Sequence, residues 1–176
     1  AENVATVPIC REEILLIVPD EVIHKAYPDR FEEIKKKLYQ SADVRLLENC
    51  PFVLLKKGNR VRTIADELFE DTQITPHIVL ETENIETVLA LSVQGMGITF
   101  YPRMFMSSKQ NLKAYHDSLM KQAGLNLFSL NYPRAHGTLA IGYHKGHYMS
   151  RATHEFIRTA LEHIPSAAGL PLNTDV

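Results

Sequence analysis

A basic, glycine-containing turn is the first feature of the sequence whose residues could bind a ligand. It occupies residues 56–62, KKGNRVR, between an apolar run and an amphipathic segment. Gly58 would let the backbone approach a ligand closely, and Asn59 is a suitable N-cap for a helix whose first N–H groups attract anions. Lys57 and Arg62 add positive charge, so the turn predicts a site for a carboxylate or another small anion. The alternative is an ordinary strand-to-helix turn with solvated basic side chains.

A second polar cluster, Thr82, Glu83 and Asn84, opens the next amphipathic segment. Its hydroxyl, amide and N–H groups could form a second wall of the same pocket, whereas the alternative is that Asn84 only caps a helix. Glu83 is unfavourable beside an anion. We therefore expect it to point away, or to select a ligand that also carries a hydrogen-bond donor.

Other kinds of chemistry find little support in the sequence. His144 and His147 are three residues apart, but a metal site needs more ligands, and no acidic or cysteine partner lies close to them in sequence. A G-x-S-x-G nucleophile motif is absent, and the G-x-G of residues 95–97 follows a helical pattern rather than a strand. We expect no metal, no cofactor and no enzymatic activity. The alternative, an enzyme of the doubly wound type, would need one of these motifs.

Composition and charge are those of an ordinary globular chain. It has 176 residues, 45% hydrophobic and 23% charged, enough to bury the core of one domain, alone or with a small lobe. The 19 basic and 21 acidic residues leave a net charge of -2, which gives no general attraction to nucleic acid or to anionic membranes. Cys10 and Cys50 could form one disulfide at most. The sequence shows no membrane span and no signal peptide, so we expect a cytoplasmic protein.

The hydrophobic pattern predicts strands and helices that alternate along the chain. Such alternation is the signature of an α/β fold with a mainly parallel sheet, in which ligands bind at the carboxyl ends of the strands. Both polar clusters follow predicted strands. Ser150 is the expected N-cap of the last helix and Pro165 its expected end. The predicted strands are residues 12–18, 51–55, 77–81, 98–101, 125–130 and 139–144, and the predicted helices are residues 27–40, 61–69, 85–93, 107–124 and 151–164.

Several stretches in a fixed order resemble one protein family. They are REEILLIVP at residues 11–19, CPFVLLKKG at 50–58, HIVLETENIETVLAL at 77–91 and GMGITFYP at 95–102. The sequence resembles a LysR-type transcriptional regulator, in the C-terminal effector-binding domain of that family. The resemblance implies a type 2 periplasmic-binding-protein-like fold with a doubly wound sheet, in which crossing strands join two lobes. It also implies a small effector, expected to be an anion or carboxylate, in the cleft between the lobes.

The resemblance divides the chain into four parts. Residues 1–19 would hold a crossing strand and a remnant of the first lobe, and residues 20–131 the second lobe. Residues 132–165 would hold the returning crossing strand and the C-terminal helix of the first lobe, followed by a mobile tail at 166–176. Both polar clusters then become loops that face the cleft. The implied effector-binding residues are Lys57, Gly58, Asn59, Arg62, Thr82, Glu83, Asn84 and Tyr101.

The sequence departs from the family at its beginning. It shows no helix-turn-helix, so we expect DNA binding only through a domain absent here, and it lacks the start of the first lobe. We interpret the chain as an effector-sensing fragment that modulates DNA binding and transcription. The alternative is a solute-binding protein of the same fold that serves a transporter. The last helix would lack its usual cover and the crossing strands would have open edges, so we expect a homodimer in which the C-terminal strand and helix are shared between the two chains. The sharing would cover the apolar stripe of the helix: Phe156, Ile157, Ala160, Leu161 and Ile164.

Overall fold

The structure is a computed structural model that describes residues 3–107 and 124–168. Most of the helix expected at residues 107–124 and of the tail expected at 166–176 lies outside the described residues. Three short 3-10 turns also occur, at Pro28–Arg30, Val44–Leu47 and Pro133–Ala135. The strands and helices, in chain order, are β1 Val4–Pro19, α1 Asp20–Ala26, α2 Phe31–Ser41, β2 Pro51–Leu55, α3 Arg60–Thr72, β3 His77–Thr82, α4 Ile85–Val93, β4 Thr99–Pro102, α5 Arg103–Ser107, β5 Leu125–Ser129, β6 His136–His144 and α6 Arg151–Ala168.

The long strand β1 takes part in two sheets. Residues 4–13 pair antiparallel with β6, residues 14–17 pair antiparallel with β4, and residues 15–19 pair antiparallel with β5 on the other side. The sequence predicted only residues 12–18, where the apolar run is continuous. The first residues were missed because they alternate between exposed and half-buried positions and include Pro8, which the pairing accommodates by a register shift.

The main sheet is mixed, with β1 running against its neighbours. Strands β2 and β3 are parallel, and Phe52 of β2 forms a parallel bridge with Ile98, immediately before β4. Because β4 and β5 are both antiparallel to β1, they run in the same direction as β2 and β3. The carboxyl ends of these four strands therefore share one edge, which we call the carboxyl edge, and β1 enters the sheet from that edge.

An aromatic cluster fills the centre of the core beside this sheet. The rings of Phe52 and Phe69 meet edge to face at 5.1 Å, and those of Phe69 and Phe100 at 5.7 Å. All three side chains are buried. Strand β2 matches its predicted bounds, because an uninterrupted apolar run indicates a strand covered on both faces. The amphipathic pattern of α3 is also confirmed, with Ile64, Ala65, Leu68 and Phe69 inward.

Three predicted helix caps are confirmed. The side chain of Asn59 accepts a hydrogen bond from the Val61 N–H at 2.8 Å. Asn84 caps α4 in the same way, and Ser150 accepts from the Thr153 N–H at 3.1 Å. Pro165 was wrongly expected to end the last helix, since α6 continues to residue 168. Pro165 has no backbone N–H to donate, yet the helix extends three residues beyond it.

A second, smaller core lies between β1, β6 and α6 of the same chain, so the C-terminal strand and helix pack within their own chain rather than being exchanged with a second copy. It contains the buried side chains of Ile9, Cys10 and Ala160, against which Leu139 and Ile141 are partly buried. Cys10 and Cys50 are both free, buried thiols, so the single disulfide that the sequence allowed does not form. Within the described residues, no helix combines the length and the apolar character needed to cross a bilayer.

Replacing Phe69 by alanine should destabilise the chain strongly. The ring contacts two other buried phenylalanines, so the variant leaves a cavity and should lower the free energy of unfolding by about 3–5 kcal/mol. Denaturant unfolding followed by circular dichroism measures this. Phe105→Ala, at an exposed ring, is the matched control and should cost less than about 2 kcal/mol. Equal losses in the two variants would contradict the assignment of the core.

Candidate functional site

The two polar clusters found in the sequence lie side by side at the carboxyl edge. The Lys56 N–H donates to the Thr82 carbonyl oxygen at 2.9 Å, and the Lys56 ammonium lies 3.0 Å from the Glu83 carboxylate. Because β2 and β3 are parallel neighbours, the β2–α3 loop (residues 56–59) and the β3–α4 loop (residues 83–84) begin at the same edge. Glu83 was expected to be unfavourable beside an anion, and Lys56 offsets its charge.

Arg62 is buried, and its guanidinium forms hydrogen bonds to three groups of the same chain. Its side chain is 4% exposed and donates to the Leu55 carbonyl oxygen at 2.9 Å and to Asp66 at 2.7 Å. A third hydrogen bond goes to Glu81 of β3, and the pKa of the Glu81 carboxyl is lowered because Arg62 donates to it. The sequence led us to expect Arg62 to face a ligand. Its contacts instead join α3 to β2 and β3.

The remaining residues of the two loops are exposed or half-buried. Gly58 has a φ of 96°, a conformation that side-chain-bearing residues rarely adopt, and Lys57 and Asn59 on either side of it are exposed. The Asn59 side chain is used as the helix cap. In the second loop, the Thr82 hydroxyl accepts from the Asn84 N–H at 3.3 Å.

Tyr101 lies at the carboxyl edge, near the end of β4. Its ring is buried, and its hydroxyl donates to the Glu86 carboxylate in the first turn of α4 at 3.0 Å. Burial raises the pKa of Tyr101, and the hydrogen bond and charge of Glu86 raise it further. The hydroxyl is therefore a fixed donor that positions the start of α4.

The structure adds a charged group at the same edge that the sequence analysis missed. Where β1 passes from one sheet to the other, Glu13 accepts from the Arg103 guanidinium at 2.5 Å and from the Ser129 hydroxyl. Beside them lies a cavity of about 600 Å³. The motif REEILLIV indicated only the beginning of a strand, and nothing in it showed that two glutamates would be buried. The cavity is lined by Arg11, Glu12, Glu13, Ser129, His136, Gly137 and Thr138.

Arg60 connects the β2–α3 loop to this group. A Cβ atom built on Gly137 would lie 2.8 Å from an Arg60 Nη atom, so the guanidinium rests against the backbone of β6. Gly137 pairs with Glu12 across the strands, so the Arg60 charge lies near the Glu12 carboxyl and favours its ionised form, although burial raises the pKa of Glu12 overall. The glycine thus leaves room for an arginine between the loop and the crossing strand.

Glu12 and Glu13 have pKa values displaced in opposite directions. Burial opposes ionisation of Glu13, but the hydrogen bonds from Ser129 and Arg103 outweigh it, and the pKa of Glu13 is lowered. For Glu12, burial dominates, and its pKa is raised despite backbone N–H donors and the charge of Arg60. Adjacent carboxyls with separated pKa values are a common feature of functional sites.

Two further cavities lie away from both loops. Cavities of about 330 Å³ and 530 Å³ share Ser41, Ala42 and Asn131 in their walls, at the end of α2 and after β5. None of the residues that line them belongs to the β2–α3 or β3–α4 loop, although Ser129 lines both the 530 Å³ cavity and the cavity beside Glu13. The cavity beside Glu13 has no loop residue in its wall either, but Arg60, the first residue of α3, rests on Gly137 in that wall and links the cavity to the predicted site.

A comparison with protein-family models identifies the fold. The model described as the LysR substrate binding domain matches residues 1–165 of this chain. The chain belongs to that family. The resemblance stated from the sequence is confirmed, as is the α/β fold of the type 2 periplasmic-binding-protein kind.

Two curated relatives of this LysR-type domain come from Bacillus subtilis (strain 168), and both are named uncharacterized HTH-type transcriptional regulators. YcgK is 28% identical over 114 residues, which is 61% of this chain and 35% of the relative. YybE is 29% identical over 112 residues, 64% of this chain and 34% of the relative. The chain thus spans about a third of the length of these relatives, which are regulators rather than enzymes.

Solved structures of LysR-type effector domains have the same fold. The effector-binding domain of QuiR in complex with shikimate is 20% identical, with a TM-score of 0.59 over 92% of this chain and 65% of its own. The regulatory domain of Synechocystis PCC6803 CcmR in complex with 2-PG is 14% identical, with a TM-score of 0.62 over 91% and 66%. Full-length CbnR complexed with its target DNA is 15% identical, with a TM-score of 0.54 over 96% and 50%.

The two adjacent glutamates of this LysR-type domain should affect stability with opposite dependence on pH. The lowered pKa of Glu13 stabilises the fold above its unfolded-state pKa, and this contribution is lost as pH falls through the folded-state value. The raised pKa of Glu12 favours the fold below its unfolded-state pKa, and that advantage is lost as pH rises through the folded-state value.

Urea unfolding between acidic and neutral pH measures both effects. Near neutral pH, Glu13→Gln should lower the free energy of unfolding and Glu12→Gln should raise it, and both differences should shrink in acid. Changes of the same sign in the two variants would contradict the environments described for these carboxyls.

Proposed function

We propose that this chain senses a small anionic metabolite for a LysR-type transcriptional regulator, and that the metabolite binds at the carboxyl edge. The observation that carries the proposal is the arrangement of Lys57 and Arg60 around Gly58. Two exposed basic side chains flank a glycine turn at the start of a helix, whose partial positive charge also favours anions.

Arg60 is better placed than Arg62 to contact an anion. Arg62 is buried and its donors are used by Asp66, Glu81 and the Leu55 carbonyl. Arg60 is exposed, and among the described residues it has no carboxylate partner within 4 Å. In this proposal Arg62 fixes the loop, while Arg60 and Lys57 provide the charge.

The other predicted site residues complete the proposed binding surface. Asn59 and Asn84 hold the first turns of α3 and α4 in place, so that backbone donors of both helices are oriented toward the same edge. Thr82 and Glu83 form the second wall, with the charge of Glu83 balanced by Lys56. Tyr101 fixes the first turn of α4 by donating a hydrogen bond to Glu86.

The cleft between two lobes and the link to DNA belong to the same proposal. We divide the chain into residues 1–19, 20–131 and 132–165, with a tail at 166–176, so that β1 and β6 join the lobes. An effector held by Arg60 would contact both the second lobe and β6, and binding would thereby change the position of one lobe relative to the other. In the cytoplasm, this change would alter DNA binding by the helix-turn-helix part of the regulator. The relatives are named as regulators, which favours sensing over solute transport.

A homodimer is the proposed cover for the outer face of α6. Ile157 and Ala160 pack inward, whereas Phe156 is 64% exposed and Leu161 41% exposed. Covering a large apolar side chain contributes about 1.5–3 kcal/mol. A second copy that presents the same face would bury both residues in a symmetric interface.

Anionic metabolites should stabilise the chain, and Arg60 should be required for the effect. In a thermal-shift screen, carboxylates and phosphates should raise the melting temperature, while the corresponding amides and alcohols should not. Arg60→Gln should weaken the best compound at least about tenfold, because one charge-assisted hydrogen bond contributes roughly 1.5–3 kcal/mol.

Arg158→Gln, on the exposed surface of α6, is the matched control and should leave the affinity unchanged. Calorimetric titration with the best compound gives the affinities. Equal stabilisation by uncharged analogues, or unchanged affinity in Arg60→Gln, would show that the anion site is misplaced.

The dimer should depend on the two exposed apolar side chains of α6. Sedimentation equilibrium should give twice the mass of one chain for the wild type and the mass of one chain for the double variant Phe156→Glu/Leu161→Glu. Thr159→Glu, an exposed position of the same helix, should leave the dimer intact. A monomeric wild type at high micromolar concentration contradicts the proposal.

A further inference from the structure

Glu12 is a buried carboxylate at the proposed effector site, and no side chain among residues 3–107 and 124–168 donates a hydrogen bond to it. It lies on β1, at the wall of the 600 Å³ cavity, and the residue is 8% exposed. One of its oxygens accepts from the Glu13 N–H at 2.8 Å, and the Met104 N–H also donates to the carboxylate. Within the described ranges it forms no ion pair closer than 4 Å. A carboxylate buried with so few donors is costly to ionise.

The carboxylate of the neighbouring Glu13, unlike that of Glu12, has hydrogen-bond donors from other side chains. Arg103 and Ser129 both donate to it from their side chains, and the charges of Arg103 and His136 favour its ionised form. None of these donors is shared with Glu12. The wall of the cavity therefore contains one neutralised carboxylate and one that could still accept a hydrogen bond from a ligand.

Arg60 places a positive charge next to Glu12. Its guanidinium rests on Gly137, the residue of β6 that pairs with Glu12, and the two charges attract each other. A purely anionic ligand bound to Arg60 would bring a second negative charge toward the buried Glu12. A ligand with a donor next to its anionic group would avoid this repulsion, because the donor would face Glu12.

We propose that the effector carries a hydroxyl or ammonium donor beside its anionic group, with Arg60 binding the anion and Glu12 accepting from the donor. This inference rests on the proposed function and specifies its ligand class as hydroxy acids or amino acids. Glu12 is then the residue that distinguishes such compounds from simple carboxylates. Selection arises because an unsatisfied buried acceptor penalises any ligand that lacks the donor.

Three fragments with one carbon skeleton test the proposal on the whole chain. Propionate, L-lactate and L-alanine share a carboxylate and differ in having a hydrogen, a hydroxyl or an ammonium group on the adjacent carbon. Each is titrated to saturation while backbone amide NMR signals of the isotope-labelled chain are recorded. Signals of Gly58 and Asn59 report on the anion, and those of Glu13 and Gly137 report on the donor.

The proposal predicts a clear order of affinities. All three fragments should shift the amide signals of Gly58 and Asn59. L-lactate, L-alanine or both should saturate these shifts at a concentration at least about tenfold lower than propionate does. The donor fragments alone should shift Glu13 and Gly137. In Glu12→Gln the advantage over propionate should largely disappear, while propionate should bind as well as before or better.

Glu32→Gln, an exposed glutamate on α2, is the matched control and should preserve the advantage. The amide spectrum of each variant shows that it is folded. If propionate binds as tightly as both donor fragments, or if Glu12→Gln keeps the advantage, the inference is wrong while the anion site stands. If no fragment shifts Gly58 and Asn59, the anion site is wrong and the inference fails with it.

Discussion

The passage of β1 from one sheet to the other is the constraint on which the rest of the structure depends. One strand pairs with β6 in its first half and lies between β4 and β5 in its second half. The point of passage coincides with the carboxyl edge, where both loops begin. Glu12 and Glu13 therefore become buried where the chain must also leave room for a ligand, and Arg103 and Ser129 neutralise only Glu13.

The first turn of α3 couples this passage to the loops through two arginines with different roles. Residues two apart on a helix point to different faces, so Arg60 and Arg62 cannot serve the same surface. Arg62 turns inward and ties α3 to β2 and β3. Arg60 lies on Gly137 of β6, and this contact is the direct link between the loop proposed to bind the effector and the strand proposed to join the lobes.

The sequence predicted those features that depend on local patterns. Strand β2 follows from an uninterrupted apolar run, and the caps at Asn59 and Asn84 follow from short-range hydrogen bonding. The sequence could not show that Arg62 is buried, because Asp66, Glu81 and the Leu55 carbonyl come from three different elements.

The charged group at the cavity was missed for a similar reason. Glu12 and Glu13 stand at the beginning of an apolar run, where charged residues usually mark an exposed strand end. Their burial depends on Ser129 and His136, which are more than a hundred residues away in the sequence. Only the pairing of β1 with β5 and β6 brings these residues together.

Hydrogen–deuterium exchange with the most stabilising anionic compound tests the central claim most directly. The account predicts slower exchange in three separate segments: the β2–α3 loop, the β3–α4 loop and the part of β1 around Glu12. The segment around Ala42, which lines the two other cavities, should be unchanged. Protection confined to the segment around Ala42, with none in the loops of the carboxyl edge, would contradict the account.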